Sequence, residues 1–487
     1  MADSRCFLAL DLGAESGRAE LVTLSGGKVE MQEMHRWPNK PVFIGSTLHW
    51  DFPFLLGEIT ESLRACAQAG RQPLAVGVDT WGVDFGLLCG DVLLGNPVHY
   101  RDARTQGIHD YTNPTMTTAE IFALTAYEPW AISSLFQLLA MKKANSPLLE
   151  AADSFLNMPD LFSFFLSGVK RSERSIANTS NLMGVDGQWS DEIMRRFSLK
   201  RGMFSPLVEP GTVLGPLTPK VRELTGIGDM PVVSVCGHDT SAALAAVPAQ
   251  GDGWAFISCG TWSILGSMTP QPVATPRCLE LGFTNEYTLG GWYLARNISG
   301  LWLVQQLRKK WMLHDPACDY TRMTAEASEA DGGESVPLFD AADPSLLAPA
   351  DMEQAIQKLV GLGRLDSRGA MVRSVLESLA LEYHRRLESL TELTGRRPDR
   401  VYMVGGGIHN KLLCQLTADA CGMEVHAGAD QCTALGNALT QALAIGVLQT
   451  PAEIREVMRN STRMDVYAPR QQSLWQRKRL AYAQVCS

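Results

Sequence analysis

Phe7-Leu8-Ala9-Leu10 runs into Asp11-Leu12-Gly13-Ala14-Glu15-Ser16-Gly17-Arg18, and an apolar run from Ala19 to Leu24 leads out again. Apolar run, short polar turn with glycine, apolar run: the pattern predicts strand, tight turn, strand. It returns about half a chain later. There Ala255-Phe256-Ile257 passes through Ser258-Cys259-Gly260-Thr261 into Trp262 to Leu265. In both places a strand enters a small polar residue, one spacer and a Gly. Two units of related design, each with a glycine-containing hairpin, are therefore expected. A further strand–turn–strand unit is read from Leu74 to Val78, Asp79-Thr80-Trp81-Gly82 and Val83 to Leu88.

Length agrees with two units. A chain of 487 residues exceeds what one hydrophobic core usually serves. The expected domains are 1–244 and 245–487. In the second half Val372, Val375, Leu376, Leu379, Tyr383, Leu387 and Leu390 recur at helical spacing, with Gly395 as cap and Pro398 as stop. Strand Val401–Val404, the turn Gly405-Gly406-Gly407 and a helix from near Asn410, closed by Gly422, follow. Alternation continues through Val425 and Ala434 to Ala444, which is α/β organisation. The stretch Ala325 to Met352, rich in Asp, Glu, Ala, Gly and Pro, reads as a surface excursion.

Composition narrows the function. Apolar residues make up 45% and charged residues 20%, as in ordinary globular proteins. The net charge is -9, from 43 Lys+Arg against 52 Asp+Glu, and no basic run is present. That argues against a nucleic-acid partner. The start of the chain lacks a charged segment followed by a long apolar one, and no stretch of about 18 apolar residues occurs, so neither leader nor membrane span is expected. The 11 Cys are scattered without a CxxC pair. They predict free thiols in a reducing compartment, hence a cytoplasmic protein.

The common nucleotide and hydrolase signatures are missing: no GxxxxGK[ST] loop, no GxGxxG after a strand, no HExxH. The turn from Asp11 to Arg18 offers another way to hold phosphate. Its small residues let successive N–H groups approach an anion, with Ser16 and Arg18 as further donors and Asp11 placed for a hydrated Mg²⁺. The same residues also make a plain hairpin turn. Thr261 in the second hairpin is either a phosphate donor or an ordinary strand residue. The triplet Gly405–Gly407 suits close approach of a base or phosphate, or a tight strand-to-helix turn. Gly237-His238-Asp239-Thr240 follows strand Pro231 to Val235 and precedes a small-residue helix, so Asp239 is either a helix cap or a general base. Cys236, two residues from His238, is set aside as a nucleophile. Trp81 and Asp84 flank Gly82 and offer an aromatic face and a carboxylate to a polyhydroxylated ligand, or serve the core. Arg101-Asp102-Ala103-Arg104 is a solvated cluster or a set of further sugar contacts.

Taken together, these segments resemble the FGGY carbohydrate kinases. Leu10 to Arg18 is similar to that family's first phosphate hairpin, and Ser258-Cys259-Gly260-Thr261-Trp262-Ser263 to its second. Val78 to Phe85 and Tyr100 to Thr105 resemble the sugar side, Gly237 to Thr240 the catalytic turn, Asn297 to Gln305 a further family segment, and Val404 to Gly407 with Ala418 to Gly422 the adenosine side. The resemblance runs in order from residue 6 to about 445. Glu15 departs from it, standing where a small polar residue is expected. The resemblance implies two ribonuclease-H-like (actin-like ATPase) domains flanking a central cleft, a sugar-binding N-terminal one and a nucleotide-binding C-terminal one. It implies ATP-dependent phosphorylation of a ketose, with ATP and Mg²⁺. Ala14, Glu15, Ser16, Gly17, Arg18, Thr261, Gln305 and Gly406 would hold ATP. Gly82, Asp84, His238, Asp239, Thr240 and Asn297 would line the sugar site. Asp239 would be the catalytic base, and Asp11 would hold the metal, directly or through water. The alternatives are a kinase for another ketose or a polyol and, more remotely, an actin-like ATPase or a sugar sensor that lacks catalysis.

Overall fold

The first predicted hairpin forms where it was read. Strands β1 (Arg5–Leu12) and β2 (Ser16–Ser25) pair antiparallel, and β3 (Lys28–Pro38) extends the sheet. The computed structural model describes residues 4–486. Met1–Asp3, part of the stretch read above for a leader, and Ser487 lie outside the described residues. Next in the chain come β4 (Val76–Thr80) and β5 (Phe85–Cys89), then β6 (Thr212–Pro216) and β7 (Pro231–Ser234). The six-stranded sheet runs β6-β7-β4-β1-β2-β3, with β1 and β7 both parallel to β4. Its inner strands are near-continuous apolar runs, as a sheet covered on both faces requires; Phe7 to Leu10 are fully buried.

The second unit repeats the order. Strands β8 (Trp254–Cys259) and β9 (Trp262–Thr269) form the other predicted hairpin. With β10 (Gly291–Ser299), β11 (Arg400–Val404) and β12 (Glu424–Ala427) they run β10-β9-β8-β11-β12, and β8, β11 and β12 are mutually parallel. Swapping numbers, β3-β2-β1-β4-β7 is the same arrangement.

Contacts divide the chain into two units, but not at a single cut. The first comprises Met1–Pro248, Thr269–Tyr293 and Gln431–Ser461; the second comprises Ala249–Met268, Leu294–Asp430 and Thr462–Ser487. A linear split at 244/245 does not express the two segments that return to the first unit. The helix Cys432–Ala444 is one of them, and Gln441 on it donates to Leu8 O on β1 at 2.9 Å.

The structure corrects two readings. Val76–Thr80 and Phe85–Cys89 are not a hairpin: β4 belongs to the main sheet, whereas β5 pairs with Val92–Leu93 and Ser154–Asn157 in a separate one. Between them Val83 has φ 70°, a left-handed conformation that turns the chain out of its first sheet. The Ala325–Met352 stretch is not a plain surface excursion. Phe339, Ala341 and Leu346 are buried, and the Phe339 and Ala341 amides donate to Ser378 Oγ and the Tyr482 hydroxyl. The few apolar residues of that stretch anchor it against the second unit.

The predicted amphipathic helix spans Arg368–Thr394 and ends at Gly395 in the left-handed region. All 11 cysteines are free, Cys89 alone exposed. Among the described residues no helix is long and apolar enough to cross a membrane.

Candidate active site

In open α/β sheets, ligands gather beyond the carboxyl ends of the parallel strands. In the first unit those ends carry acids. Asp11 on β1 stands in register with Asp79 on β4. Asp79 is fully buried; its Oδ2 accepts from Asn437 Nδ2 at 2.6 Å, while Oδ1 has no partner. Gly77, two residues earlier, makes room for that asparagine: a Cβ there would come 2.8 Å from Asn437 Oδ1. Burial, then the adjacent Asp11, hold the Asp79 carboxyl well above the usual carboxylate range. Arg18 on β2 lies opposite Asp11 and places Nε and Nη2 on Asp11 Oδ2, at 2.9 and 2.7 Å.

The third acid is Asp239. β7 ends at Ser234, and Thr80 N donates to Gly237 O at 2.8 Å, which ties the next turn to the end of β4. His238 is then the cap residue of the helix Asp239–Ala245, and Asp239 is its first residue rather than its cap. Thr240 donates its amide and its hydroxyl to Asp239 Oδ1. The Asp239 side chain remains 35% exposed, enough to meet a ligand.

His238 links Asp239 to a further acid. Its Nε2 lies 3.5 Å from Asp239 Oδ1, and its Nδ1 lies 2.9 Å from Glu286 Oε2, an ion pair without hydrogen-bond alignment. The Tyr293 hydroxyl donates to the same Glu286 oxygen at 2.6 Å. Burial disfavours a charged imidazole, but Glu286 outweighs it and His238 is pushed up to about 9. Burial raises the Asp239 carboxyl, His238 draws it back down, and Asp11 adds to the rise. The turn thus presents a carboxylate beside a cation.

Asp84 is placed differently from the expectation that it meets a ligand hydroxyl. It is fully buried and already holds four donors: Trp50 Nε1 at 2.6 Å, Trp81 Nε1 at 3.1 Å and Tyr100 N at 3.2 Å on Oδ2, and Gln137 Nε2 at 2.9 Å on Oδ1. Its carboxyl is raised by burial to about 6. Asp84 therefore sets the pose of Trp81, whose ring packs on Trp50 with centroids 3.9 Å apart and planes tilted by 34°. Arg101-Asp102-Ala103-Arg104 divides: Arg101 is exposed, while Arg104 turns inward to Gln137 Oε1. Gly82 packs on Thr179, where a Cβ would meet the side chain at 3.2 to 3.3 Å.

The first hairpin turn is small and open. Gly13 N donates to Ser16 O at 2.9 Å, Asn39 Nδ2 to Gly13 O at 2.9 Å, and Glu15 and Ser16 are exposed. Gly17 lies under Trp37, whose ring would sit 2.3 Å from a Cβ.

In the second unit the ends of β8 and β11 carry no acids, and Asp430 follows β12. Thr261 is exposed at the β8–β9 turn and accepts from Gln305 Nε2 at 3.2 Å. The chain entering the helix Trp302–Trp311 lies directly on that turn: Leu301 and Trp302 amides donate to Gly260 O and Thr261 O, and a Cβ at Gly300 would meet Gly260 O and Thr261 O at 2.8 Å. β11 ends beside β8, and the glycine triplet follows it. Gly405 needs its φ of 81°, and a Cβ on Gly407 would strike Cys259 Sγ at 2.2 Å. Gly406 differs: its backbone is ordinary, it is exposed, and nothing lies within 4 Å of a Cβ. Asn297 is exposed on β10.

Models of the N-terminal and C-terminal domains of the FGGY family of carbohydrate kinases match residues 6–246 and 255–445. The chain belongs to this family. Among curated relatives of this FGGY kinase, a protein named rhamnulokinase from Bacteroides thetaiotaomicron is 37% identical over 475 residues, covering 96% of this chain and 97% of that protein. Rhamnulokinases from Oceanobacillus iheyensis and Bacillus subtilis are each 32% identical, over 473 and 475 residues. They cover 95% of this chain in each case, and 98% and 95% of those proteins. A gluconate kinase from Lactobacillus acidophilus superposes with TM-score 0.83 at 16% identity, over 99% of this chain and 97% of that one. A Plasmodium falciparum glycerol kinase with ADP does so with 0.82 at 14%, over 99% and 97%. At that identity the likeness concerns the fold, here the actin-like two-domain ATPase fold. The enzyme is a sugar kinase.

Reading the sequence missed Glu286, Tyr293 and Trp50. The chain neighbours of each give no sign of its partner, and only the folded chain brings it to His238 or Asp84.

Proposed function

We propose that the enzyme transfers the γ-phosphoryl group of ATP to O1 of L-rhamnulose, giving L-rhamnulose 1-phosphate, in the cytoplasm. The observation that carries the reading is the turn His238-Asp239-Thr240: a carboxylate one-third open to solvent, at a helix start, beside a cationic imidazole. It occurs in a chain 37% identical to a rhamnulokinase over nearly the whole of both.

In this reading the first unit binds the sugar and the second the nucleotide. Asp239 accepts the proton of the attacking O1 hydroxyl, and His238 keeps Asp239 ionised and steadies the ketose. Gly82 leaves space for the sugar, Asp84 holds Trp81 and Gln137 around it, and Thr240 and Asn297 supply hydroxyl and amide contacts. Ala14, Glu15, Ser16, Gly17 and Arg18 direct backbone and side-chain donors to the phosphates. Thr261 and Gln305 do the same from the other hairpin, and exposed Gly406 gives the nucleotide a surface without side chains. Asp11 suits Mg²⁺: it is a hard oxygen donor, and both Arg18 contacts fall on Oδ2 alone. Asp11 would hold the ion through water, and the ion would supply charge neutralisation at the β- and γ-phosphates.

The test is kcat/KM across L-rhamnulose, L-fuculose, L-ribulose, D-xylulose and glycerol at fixed Mg·ATP, for wild type and Asp239→Asn. L-rhamnulose should lead, and Asp239→Asn should lose about 10²–10⁴-fold, the usual worth of a general base. A lead for glycerol or D-xylulose overturns the sugar assignment and leaves the kinase standing. Activity within about threefold of wild type in Asp239→Asn overturns the base, on the same scale.

A further inference from the structure

The motifs read from the sequence leave out one short helix, Arg174–Asn178, although both of its ends reach the loops described above. At its start Glu173, 1% exposed, gathers four donors. Oε1 takes Ser175 N at 2.7 Å; Oε2 takes Ser175 Oγ at 2.6 Å, Ile176 N at 3.2 Å and, across the fold, Gly237 N at 2.8 Å. Ser175 Oγ in turn accepts from His238 N at 3.3 Å. The backbone of the catalytic turn thus rests on one carboxylate and one hydroxyl. The fit is close: a Cβ on Gly237 would come 3.1 Å from Glu173 Oε2 and 2.9 Å from Pro159 Cγ.

At the other end Thr179 is buried against Gly82, and its Oγ1 accepts from Val83 N at 2.9 Å. Val83 is the residue with φ 70°. A β-branched residue in the left-handed region is a genuine outlier, and it persists only where the surroundings over-determine it. Thr179 holds its amide, while Ser134 Oγ and Gln137 Nε2 hold its carbonyl at 2.6 and 3.2 Å.

We propose that Glu173 and Thr179 are positioning residues for phosphoryl transfer, the helix between them acting as a strut that fixes the turn bearing His238 and Asp239 at a set spacing from the loop bearing Gly82 and Val83. This rests on Asp239 being the base, and it adds what keeps that base in register with the acceptor. The two loops are far apart in sequence; backbone pairing of Thr80 with Gly237 and His238 joins them at their base, and the strut braces them beyond it. A misplacement of about 1 Å can cost about 10²-fold in rate, so the strut is a point of leverage although it touches neither reactant.

The experiment uses Glu173→Gln, Glu173→Asp and Thr179→Val, alone and in the Asp239→Asn background. Steady-state kcat and KM for L-rhamnulose and for Mg·ATP are measured, together with thermal melts. Glu173→Gln points an amide donor at donors and should lower kcat about 10–100-fold, by the same geometric argument, with the KM for Mg·ATP unchanged. Glu173→Asp keeps the acceptor oxygens and should recover most of that loss. Thr179→Val keeps shape but frees the Val83 amide, and should act mainly on the sugar KM. In the Asp239→Asn background, Glu173→Gln should cost less than threefold further, because its effect acts through that base. The strut is overturned if folded Glu173→Gln keeps wild-type kcat, if Glu173→Asp gives no recovery, if Thr179→Val leaves the sugar KM as it was, or if Glu173→Gln costs the same factor with and without Asp239. Failure of the base shows separately, as full activity in Asp239→Asn alone.

Discussion

Glu286→Gln removes one charge and leaves the shape of its site nearly intact, since the Tyr293 hydroxyl can still donate to the remaining amide oxygen. The charge matters because Glu286 Oε2 lies 2.9 Å from His238 Nδ1 and holds the imidazole at about 9. Against an ordinary value of about 6.5, that difference corresponds to about 3 kcal/mol of preference for the cation. The sign is that of a raised basic group: this stabilisation is full below about 6.5 and is lost as pH rises through about 9. In the variant, burial faces less opposition, although Asp239 and Glu173 still attract the cation. The ring should then be largely neutral at pH 7.5. Asp239, 3.5 Å from His238 Nε2, loses its cation. At an effective dielectric of about 20, that pair attracts by at most about 5 kcal/mol. The partial exposure of Asp239 leaves a fraction of this, enough to move the acid limb of the kcat/KM profile upward by about one pH unit or more. At a given pH on the acid limb, activity should fall about tenfold, and it should recover at higher pH as the carboxyl ionises. The assay is kcat/KM for the sugar from pH 5.5 to 9 at saturating Mg·ATP, with the His238 ring followed by NMR. An unmoved acid limb with a neutral ring refutes the link from His238 to Asp239. A ring that still titrates near 9 refutes the assignment of its charge to Glu286.

Asp84→Asn should destabilise by about 1–3 kcal/mol, because an amide cannot accept from all four donors now aimed at the carboxylate. Since the wild-type carboxyl stands at about 6, its contribution is present at low pH and lost as pH rises through that value. The deficit should therefore be larger at pH 5 than at pH 7, by about 1 kcal/mol in chemical denaturation. The glycine triplet separates fold from binding. Gly407→Ala drives a methyl into Cys259 Sγ and should lower the melting temperature, whereas Gly406→Ala meets nothing within 4 Å and should melt like wild type while weakening an ATP analogue in calorimetry. Unchanged nucleotide affinity in Gly406→Ala would take that residue out of the nucleotide surface.

What could be read from the sequence is what chain neighbours encode. The hairpins around Gly13 and Gly260 carry period and punctuation within twenty residues, and both formed as read. The helix Arg368–Thr394 announces itself by its stripe and its Gly395 cap. The turn at Asp79–Gly82 misled, because a left-handed Val83 has no local signature: nothing in its side chain favours that backbone, and distant Thr179, Ser134 and Gln137 impose it. Three glycines in a row do not reveal which one takes positive φ, and it is Gly405. Glu286 and Glu173 stayed hidden because an acid among polar neighbours looks the same whether it meets a histidine, a backbone amide or water.

The recurrence of one strand order in both units separates what the sheets do from what their ends do. At the ends of β1, β4 and β7 the scaffold carries Asp11, Asp79 and Asp239 in its turns; at those of β8 and β11 it carries Thr261 and a run of glycines. Identical carpentry is fitted with acids in one unit and, after β8 and β11, with uncharged residues in the other, so the architecture is indifferent to the reaction and tolerates refurnishing. That is consistent with proteins named for gluconate, xylulose and glycerol sharing the frame at 14–17% identity. An engineer who wishes to change the acceptor can therefore leave the strands alone and rewrite a handful of residues where they stop.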